Sequence, residues 1–388
     1  MKRTARFVAI LITVSLLFLT ASCSLDIKGH KPSKNYSKIE ATEISVGGFS
    51  KYHFSKLSNL EKHAYNNILT DIKSFPKKIE IPPLSEDSLN AVYTALLNDN
   101  PELFFLDKTC RAESYRDVAY FCPSYAMTSD EYTSMMKKCV DAANEIVGKA
   151  MEEESAFERE RIVHDEIIKR CSYSNESSNT YRSSIYGVLI YKNASCEGYA
   201  KTAKYLFDLL KMESYVITGS SYAPSGEIQS HMWNIINLGG DYYNLDLTWD
   251  DPVTDNGLPM IFYTYFNVSD DVLGKTHFDF ENANKCTETD NYFFKFKGLE
   301  FSEFSREEKR TVADFAADII DNGSCGFQIC LNTKETFEKV SGELFSEEGI
   351  YSLLCDIREN CETDFATDKV SYVLSENYNI IDVIIEVG

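Results

Sequence analysis

Basic charge is what this chain has least of. It carries 39 Lys and Arg against 60 Asp and Glu, a formal net charge of −21 over 388 residues. A nucleic-acid binder needs a basic face to meet phosphates, so the sequence argues against that class. No internal repeat or low-complexity tract stands out, and tryptophan is limited to Trp233 and Trp249. The N-terminal apolar run, Phe7 to Leu19, falls short of the ~20 residues that a membrane-spanning helix needs. What is present fits a folded chain. Hydrophobic content of 44% and aromatic content of 13% exclude wholesale disorder. The length suits two or three domains of roughly 100–200 residues each. Eleven cysteines is an odd count, so at least one thiol does something other than pair within the chain.

The first residues account for one of those thiols. Lys2, Arg3 and Arg6 precede the apolar run, which ends in Leu19-Thr20-Ala21-Ser22-Cys23. Small residues ahead of a cysteine resemble a bacterial lipobox, although Thr20 stands where a larger aliphatic residue is commoner. The resemblance implies that residues 1–22 are a signal peptide, and that Cys23 is lipidated and becomes the mature N-terminus. The protein would then be exported and held on the cell membrane by that lipid alone. An ordinary secretory signal or a signal anchor with an incidental cysteine is the alternative. Residues 23–50 lack apolar periodicity and read as a solvated tether.

Periodicity then divides the chain. Residues 51–150 look mainly helical. Leu57, Leu60, Ala64, Ile68 and Ile72 fall on one face of Ser55–Phe75, and Leu89, Val92, Leu96 and Leu97 on one face of Ser85–Asn98. Phe104–Tyr125 looks extended, and Thr128–Met151 is a long amphipathic helix. Residues 151–290 form a core, with helices at Ala156–Cys171 and Ser195–Met212. Strands follow at Glu213–Tyr222, His231–Leu238 and Tyr242–Trp249, the last two joined by Gly239-Gly240, a hairpin signal. Residues 300–388 form a small α+β domain. The fold class is therefore α+β.

The chemistry gathers in three short segments. Cys196 sits at the first turn of its helix, where unpaired N–H groups and the helix dipole favour a thiolate. His231 opens the second strand, and an imidazole there can face that helix end. Asp246 lies on the next strand of the hairpin. The turn at Gly239-Gly240 makes it a partner or near-partner of His231. A thiol nucleophile, a base and a carboxylate that orients the base make an acyl-transfer triad.

Ser195-Cys196-Glu197-Gly198-Tyr199-Ala200, Ser230-His231-Met232-Trp233-Asn234 and Tyr243-Asn244-Leu245-Asp246-Leu247-Thr248-Trp249-Asp250-Asp251-Pro252 resemble the motifs of the transglutaminase-like superfamily of papain-type thiol enzymes. The likeness covers about residues 155–255. Met232 departs from it, since many relatives carry Ala there. The resemblance implies a Cys-bearing helix packed on an antiparallel sheet that bears His and Asp. It implies catalytic roles for Cys196, His231 and Asp246, with Tyr186 as a candidate to help the Cys196 backbone N–H hold the oxyanion. The implied reaction is attack on a carboxamide or peptide bond without a cofactor. Water would complete it as a peptidase or amidase, and an amine as a cross-linking enzyme. The substrate would be a protein or peptide, cell-wall peptide included. The superfamily also contains scaffolds that keep the fold without catalysis, so a non-catalytic binding protein is the rival reading.

Other polar residues are less specific. His164 lies on an amphipathic helix without partners at metal-ligand spacing and reads as structural. Asp250 and Asp251 could chelate calcium with Asp255, but a turn before Pro252 is the simpler reading. Trp233 and Trp249 either wall a substrate cleft or pack in the core. The nine remaining cysteines show no C-x-x-C spacing, and no metal site is expected.

Overall fold

The computed structural model describes residues 22–28, 40–43, 51–115, 117–174, 179–222, 226–252, 260–346 and 349–387. Three units follow one another along the chain, and the architecture is α+β throughout.

The N-terminal unit is a four-stranded sheet backed by helices. The sheet runs Ser22–Ile27, Thr109–Ser114, Ala119–Cys122 and Ile79–Ile81 in spatial order. Helices Asn59–Asp71 and Glu86–Asp99 bury Ala64, Ile68, Leu89, Val92 and Leu96 against it. The long helix read from the sequence is broken at Leu57-Ser58. There Ser58 starts a new helix in a reciprocal capping box with Glu61. The break moves Leu60 to an outer first turn, where it is exposed.

The first strand corrects the tether reading. Ser22–Ile27 pairs in parallel with Thr109–Ser114, with Cys23 opposite Cys110, and the two sulfurs form a disulfide. One sulfur carries either a disulfide or a lipid thioether, so the two assignments of Cys23 exclude each other. Most of the remaining tether, 29–39 and 44–50, lies outside the described residues.

The central unit pairs helices Ser129–Met151 and Ala156–Arg170, capped by Thr128 and Ser155. Helix Cys196–Leu209 packs on an antiparallel meander of Ser214–Tyr222, Ile228–Leu238 and Asp241–Leu245. A short strand, His277–Phe278, adds to the outer edge beside Ser214–Tyr222. Gly239 and Gly240 both adopt positive φ in the hairpin turn, which glycine reaches without steric cost.

The C-terminal unit holds helices Arg306–Asp321, Lys334–Leu344 and Gly349–Asn360. Its sheet runs Glu300–Phe301, Gly326–Leu331, Ile380–Val387 and Phe365–Ser375 in spatial order. This unit is not separated from the centre by a gap in packing. One hydrophobic core runs from Ile167 and Phe207 through Tyr263 and Phe266 to Phe327 and Leu354.

Candidate active site

The helix that bears Cys196 begins in an unusual way for this chain. Ser85, Thr128, Ser155, Ser305 and Thr333 each cap their helix through the side chain. Ser195, the N-cap of Cys196–Leu209, does not. Its hydroxyl turns instead to the carbonyl of Arg182 at 3.3 Å, and its backbone N–H donates to the same carbonyl at 3.0 Å. The first-turn N–H groups beside Cys196 are thus left uncapped by that side chain, with the positive end of the helix dipole behind them.

The rest of the helix is held in place. Asn234 Nδ2 donates to the carbonyl of Ala200 at 2.9 Å, which ties the helix to the His231 strand. Glu197 pairs with Lys201 at 2.8 Å and also with Lys108, which reaches in from the N-terminal unit. Glu197 is deeply buried, but the two ammonium groups outweigh that burial and hold its pKa down to about 2.

His231 lies inside the strand Ile228–Leu238, opposite Gly219, and not at the strand start. Asp246 lies one residue beyond the strand Asp241–Leu245. Regular pairing ends at Asn234 and Leu245, and the Asp246 N–H donates to the Tyr265 carbonyl at 3.2 Å. The chain thus leaves the sheet at the residue that carries the carboxylate. Asp246 Oδ2 accepts from His231 Nε2 at 2.6 Å. Asp246 Oδ1 accepts from the backbone N–H of Thr248 at 3.0 Å and of Trp249 at 3.3 Å. With Nε2 committed to Asp246, the imidazole offers Nδ1 to the Cys196 sulfur, its other interaction partner.

Electrostatics favour a charged imidazole. Burial by itself would strip the proton from His231, but Asp246 and the Cys196 sulfur more than reverse this and raise its pKa above the ordinary histidine range. Burial likewise opposes ionisation of Asp246. The imidazolium and its hydrogen bonds win there too, so the carboxyl stays below the usual range.

The sequence reading missed a fourth member. His277 Nε2 also donates to Asp246 Oδ2, at 3.0 Å. It comes from a two-residue strand beyond the stretch that resembled a known family, and no local motif marks it. Burial, with the like charge of His231 nearby, keeps His277 below the ordinary range and so neutral. The ligand atoms of His231, Asp246 and His277 lie within 4.8 Å of one another, the one such group among the described residues. Both imidazoles sit on the same carboxylate oxygen at hydrogen-bond lengths, so protons account for the geometry.

The tryptophans divide. Trp233 is 1% exposed, stacks near His231 at 6.0 Å and donates to Asn244 Oδ1. It is core and not a cleft wall. Trp249 is half-buried, 6.2 Å from the His231 ring and 5.0 Å from that of His277. The Tyr186 ring packs with Phe104 and Tyr181, and no hydrogen bond or ring contact among the described residues joins it to Cys196. Cys196 itself is 3% exposed.

Beneath the triad lies a second buried polar group. Asp250 and Asp251 do not form an exposed turn. Asp250 pairs with His164 Nε2 at 3.3 Å and accepts from the Tyr265 N–H, and Asp251 accepts from Tyr199 Oη. His164 Nδ1 bonds Asp165 at 2.9 Å, and Asn267 donates to Glu160 at 2.9 Å. Asp255, the third member of the calcium alternative, lies outside the described residues. Burial pushes Glu160 up to about 8, and Asp250 and Asp251 up to about 7.

Those directions fix a pH dependence. In the unfolded chain these carboxyls ionise near pH 4. Between about 4 and about 8 the folded state therefore binds more protons, and stability falls as pH rises. His164 acts in the same direction, since its pKa is raised to about 9 by Asp165 and Asp250 against the opposing effect of burial. The urea midpoint is expected to decline steadily from pH 5 to pH 8.5. Glu160→Gln should remove roughly 1–3 kcal/mol of that decline while leaving pH 5 stability nearly unchanged. A flat wild-type profile over this interval would contradict the assignment.

No family model matches the chain, and no curated protein matches it by sequence. Solved structures that it is similar to include a TGase, at 14% identity and a TM-score of 0.27 over 36% of this chain and 44% of that one. A candidate cysteine protease from Cytophaga hutchinsonii matches at 16% identity and a TM-score of 0.24, over 37% and 56% of the two chains. A candidate protease from Parabacteroides distasonis matches at 13% and 0.21, over 41% and 34%. The match spans less than two thirds of each solved chain.

Proposed function

We propose that this protein is a cysteine enzyme that cleaves or transfers at carboxamide or peptide bonds through a thioester on Cys196. The observation that carries the reading is the Asp246–His231 pair, closed at 2.6 Å, beside a thiol on a helix end that its N-cap side chain leaves open. The thiolate of Cys196 attacks the carbonyl carbon, and the carbonyl π pair moves onto oxygen. Backbone N–H groups of the first helical turn are placed to stabilise that oxyanion. His231 gives its Nδ1 proton to the departing nitrogen, the C–N bond breaks and a thioester remains. Water or an amine then attacks, His231 takes back a proton, and the C–S bond breaks to restore the thiolate. Peptidase or amidase action on a protein or peptide is the form proposed, at an exported, lipid-anchored location that requires Cys23 to carry the lipid in place of the disulfide to Cys110.

The rival is a non-catalytic scaffold of the same fold, and the 3% exposure of Cys196 is the feature that favours it. One experiment addresses both nucleophile and anchor: brief iodoacetamide treatment of membrane-derived protein at pH 7, followed by peptide mass spectrometry. An ordinary thiol is a few per cent ionised at that pH, so an ion-paired Cys196 should label ~10-fold or more faster than the exposed Cys355. Cys196→Ala should abolish the fast adduct. Equal labelling of the two thiols sinks the enzyme reading. The same spectra report Cys23. A diacylglyceryl thioether supports the anchor, and a disulfide to Cys110 on an unmodified chain removes it.

A further inference from the structure

The turn that joins strands Phe365–Ser375 and Ile380–Val387 reaches back from the C-terminal unit to the triad. Lys275 Nζ donates to the Asn377 carbonyl at 2.7 Å and lies 5.0 Å over the Tyr378 ring. Tyr378 Oη stands 3.3 Å from Thr276 Oγ1, and Thr276 Oγ1 stands 2.9 Å from His277 Nδ1. Tyr265 Oη donates to Tyr378 Oη at 2.9 Å. His277 Nε2 ends the series on Asp246 Oδ2 at 3.0 Å, the oxygen that also holds His231.

The protons along this series are set by elimination. Asp246 is an acceptor only, so His277 must carry its proton on Nε2. A neutral His277 then has a lone pair at Nδ1, and the Thr276 hydroxyl donates to it at 2.9 Å in preference to the Leu273 carbonyl, its other acceptor in reach, at 3.4 Å. Thr276 Oγ1 in turn accepts from Tyr378 Oη–H, and Tyr378 accepts from Tyr265. Each hydroxyl donates once in the same direction, from the C-terminal unit towards the carboxylate. Such a series fixes a tautomer and a ring angle. The charged or titratable groups that face His277 are Asp246, His231, Tyr265 and Tyr378.

We propose that His277, Thr276 and Tyr378 are positioning residues, through which the C-terminal unit orients Asp246 and, by it, the His231 imidazole. The proposal rests on the thiol-enzyme reading for its purpose, though not for its test. Asp246 Oδ1 is already held by the backbone, but Oδ2 is shared by two rings. The array holds the second oxygen in one direction when His231 gives or takes a proton at its far side.

The test uses the full chain. Imidazole ¹⁵N spectra are recorded from pH 5 to pH 10, with His277→Gln and His231→Gln assigning the two rings. Wild type should show His277 neutral at pH 7 with a single Nε2–H tautomer. Thr276→Val and Tyr378→Phe each remove one hydroxyl and little volume, and both sites are only half-buried. Both variants should keep the wild-type far-UV spectrum and urea midpoint. Both should mix the His277 tautomers and lower the His231 titration by roughly half a pH unit or more. Cys196 alkylation at pH 7 should slow about 3- to 10-fold in step with it. Folded variants with unchanged His277 tautomer and unchanged His231 titration would overturn the proposal. If wild-type Cys196 proves unreactive, the enzyme reading fails while the ring spectra still decide the array. Should Thr276→Val not fold, Tyr378→Phe decides alone.

Discussion

Asp246→Asn is expected to slow Cys196 alkylation at pH 7 by roughly 30-fold, close to the rate of a free thiol of ordinary acidity. The carboxylate is 1% exposed and accepts four hydrogen bonds, two from imidazoles and two from backbone N–H groups. Its negative charge keeps His231 protonated against the cost of burial, and that imidazolium is the cation that the proposed thiolate of Cys196 pairs with. An amide has the same volume and no charge, so the proton leaves His231 and the thiolate loses its counter-ion. Asp246→Ala should add a cost in stability of about 2–4 kcal/mol, since two rings and two N–H groups lose their acceptor in a dry site. Rate constants measured by quenched labelling and mass spectrometry settle the matter. A folded Asn variant within twofold of wild type would show that Asp246 does not govern the reactivity of Cys196.

The second large effect comes from a residue with no side chain. Gly198 lies two positions after Cys196, in the first turn of the helix. A Cβ there would stand 2.4 Å from the Arg182 carbonyl oxygen and 2.8 Å from the Ala194 Cβ. The carbonyl cannot simply retreat, because it also receives the Ser195 N–H and hydroxyl. Gly198→Ala should therefore cost roughly 2–4 kcal/mol and displace the helix start. Cys196 labelling should slow with it. Gly148→Ala is the matched control. It sits in the exposed face of helix Ser129–Met151, where an added Cβ meets nothing within 4 Å. That variant should gain about 0.5–1 kcal/mol from helix propensity. Equal urea midpoints for the two variants would refute the steric argument.

The three residues of the proposed triad stand out in the sequence because each sits in a run whose local pattern is strong. Cys196 follows a Ser N-cap and precedes an amphipathic helix, and the two-glycine turn fixes the hairpin between His231 and Asp246 to within two residues. The strand limits shifted because the backbone hydrogen bond of Asp246 goes to Tyr265, 19 positions ahead, which no local pattern encodes. His277 was invisible for a similar reason. Its strand is two residues long, and its partner Ser221 lies 56 residues earlier. The Asp250–His164 pair is likewise a contact between two ordinary segments, brought together only by packing. Ser22–Ile27 does alternate polar and apolar residues, but the run is short and its partner strand holds Cys110, 87 residues after Cys23, so nothing local marks it as a strand.

The single core shared by the central and C-terminal units bears on how the molecule comes apart. Tyr263 lies 3.6 Å from Phe293 in a parallel stack, and its N–H donates to Gln328 in the C-terminal sheet. Loss of that sheet would open the floor of the central unit to water, so the two melt as one cooperative block. The N-terminal sheet packs around a separate core. Polar and ring contacts such as Lys108–Glu197 and Tyr52–Tyr215 join it to the central unit, and stretches of Asn59–Asp71 and Glu86–Asp99 should exchange their amide protons ahead of those in Cys196–Leu209.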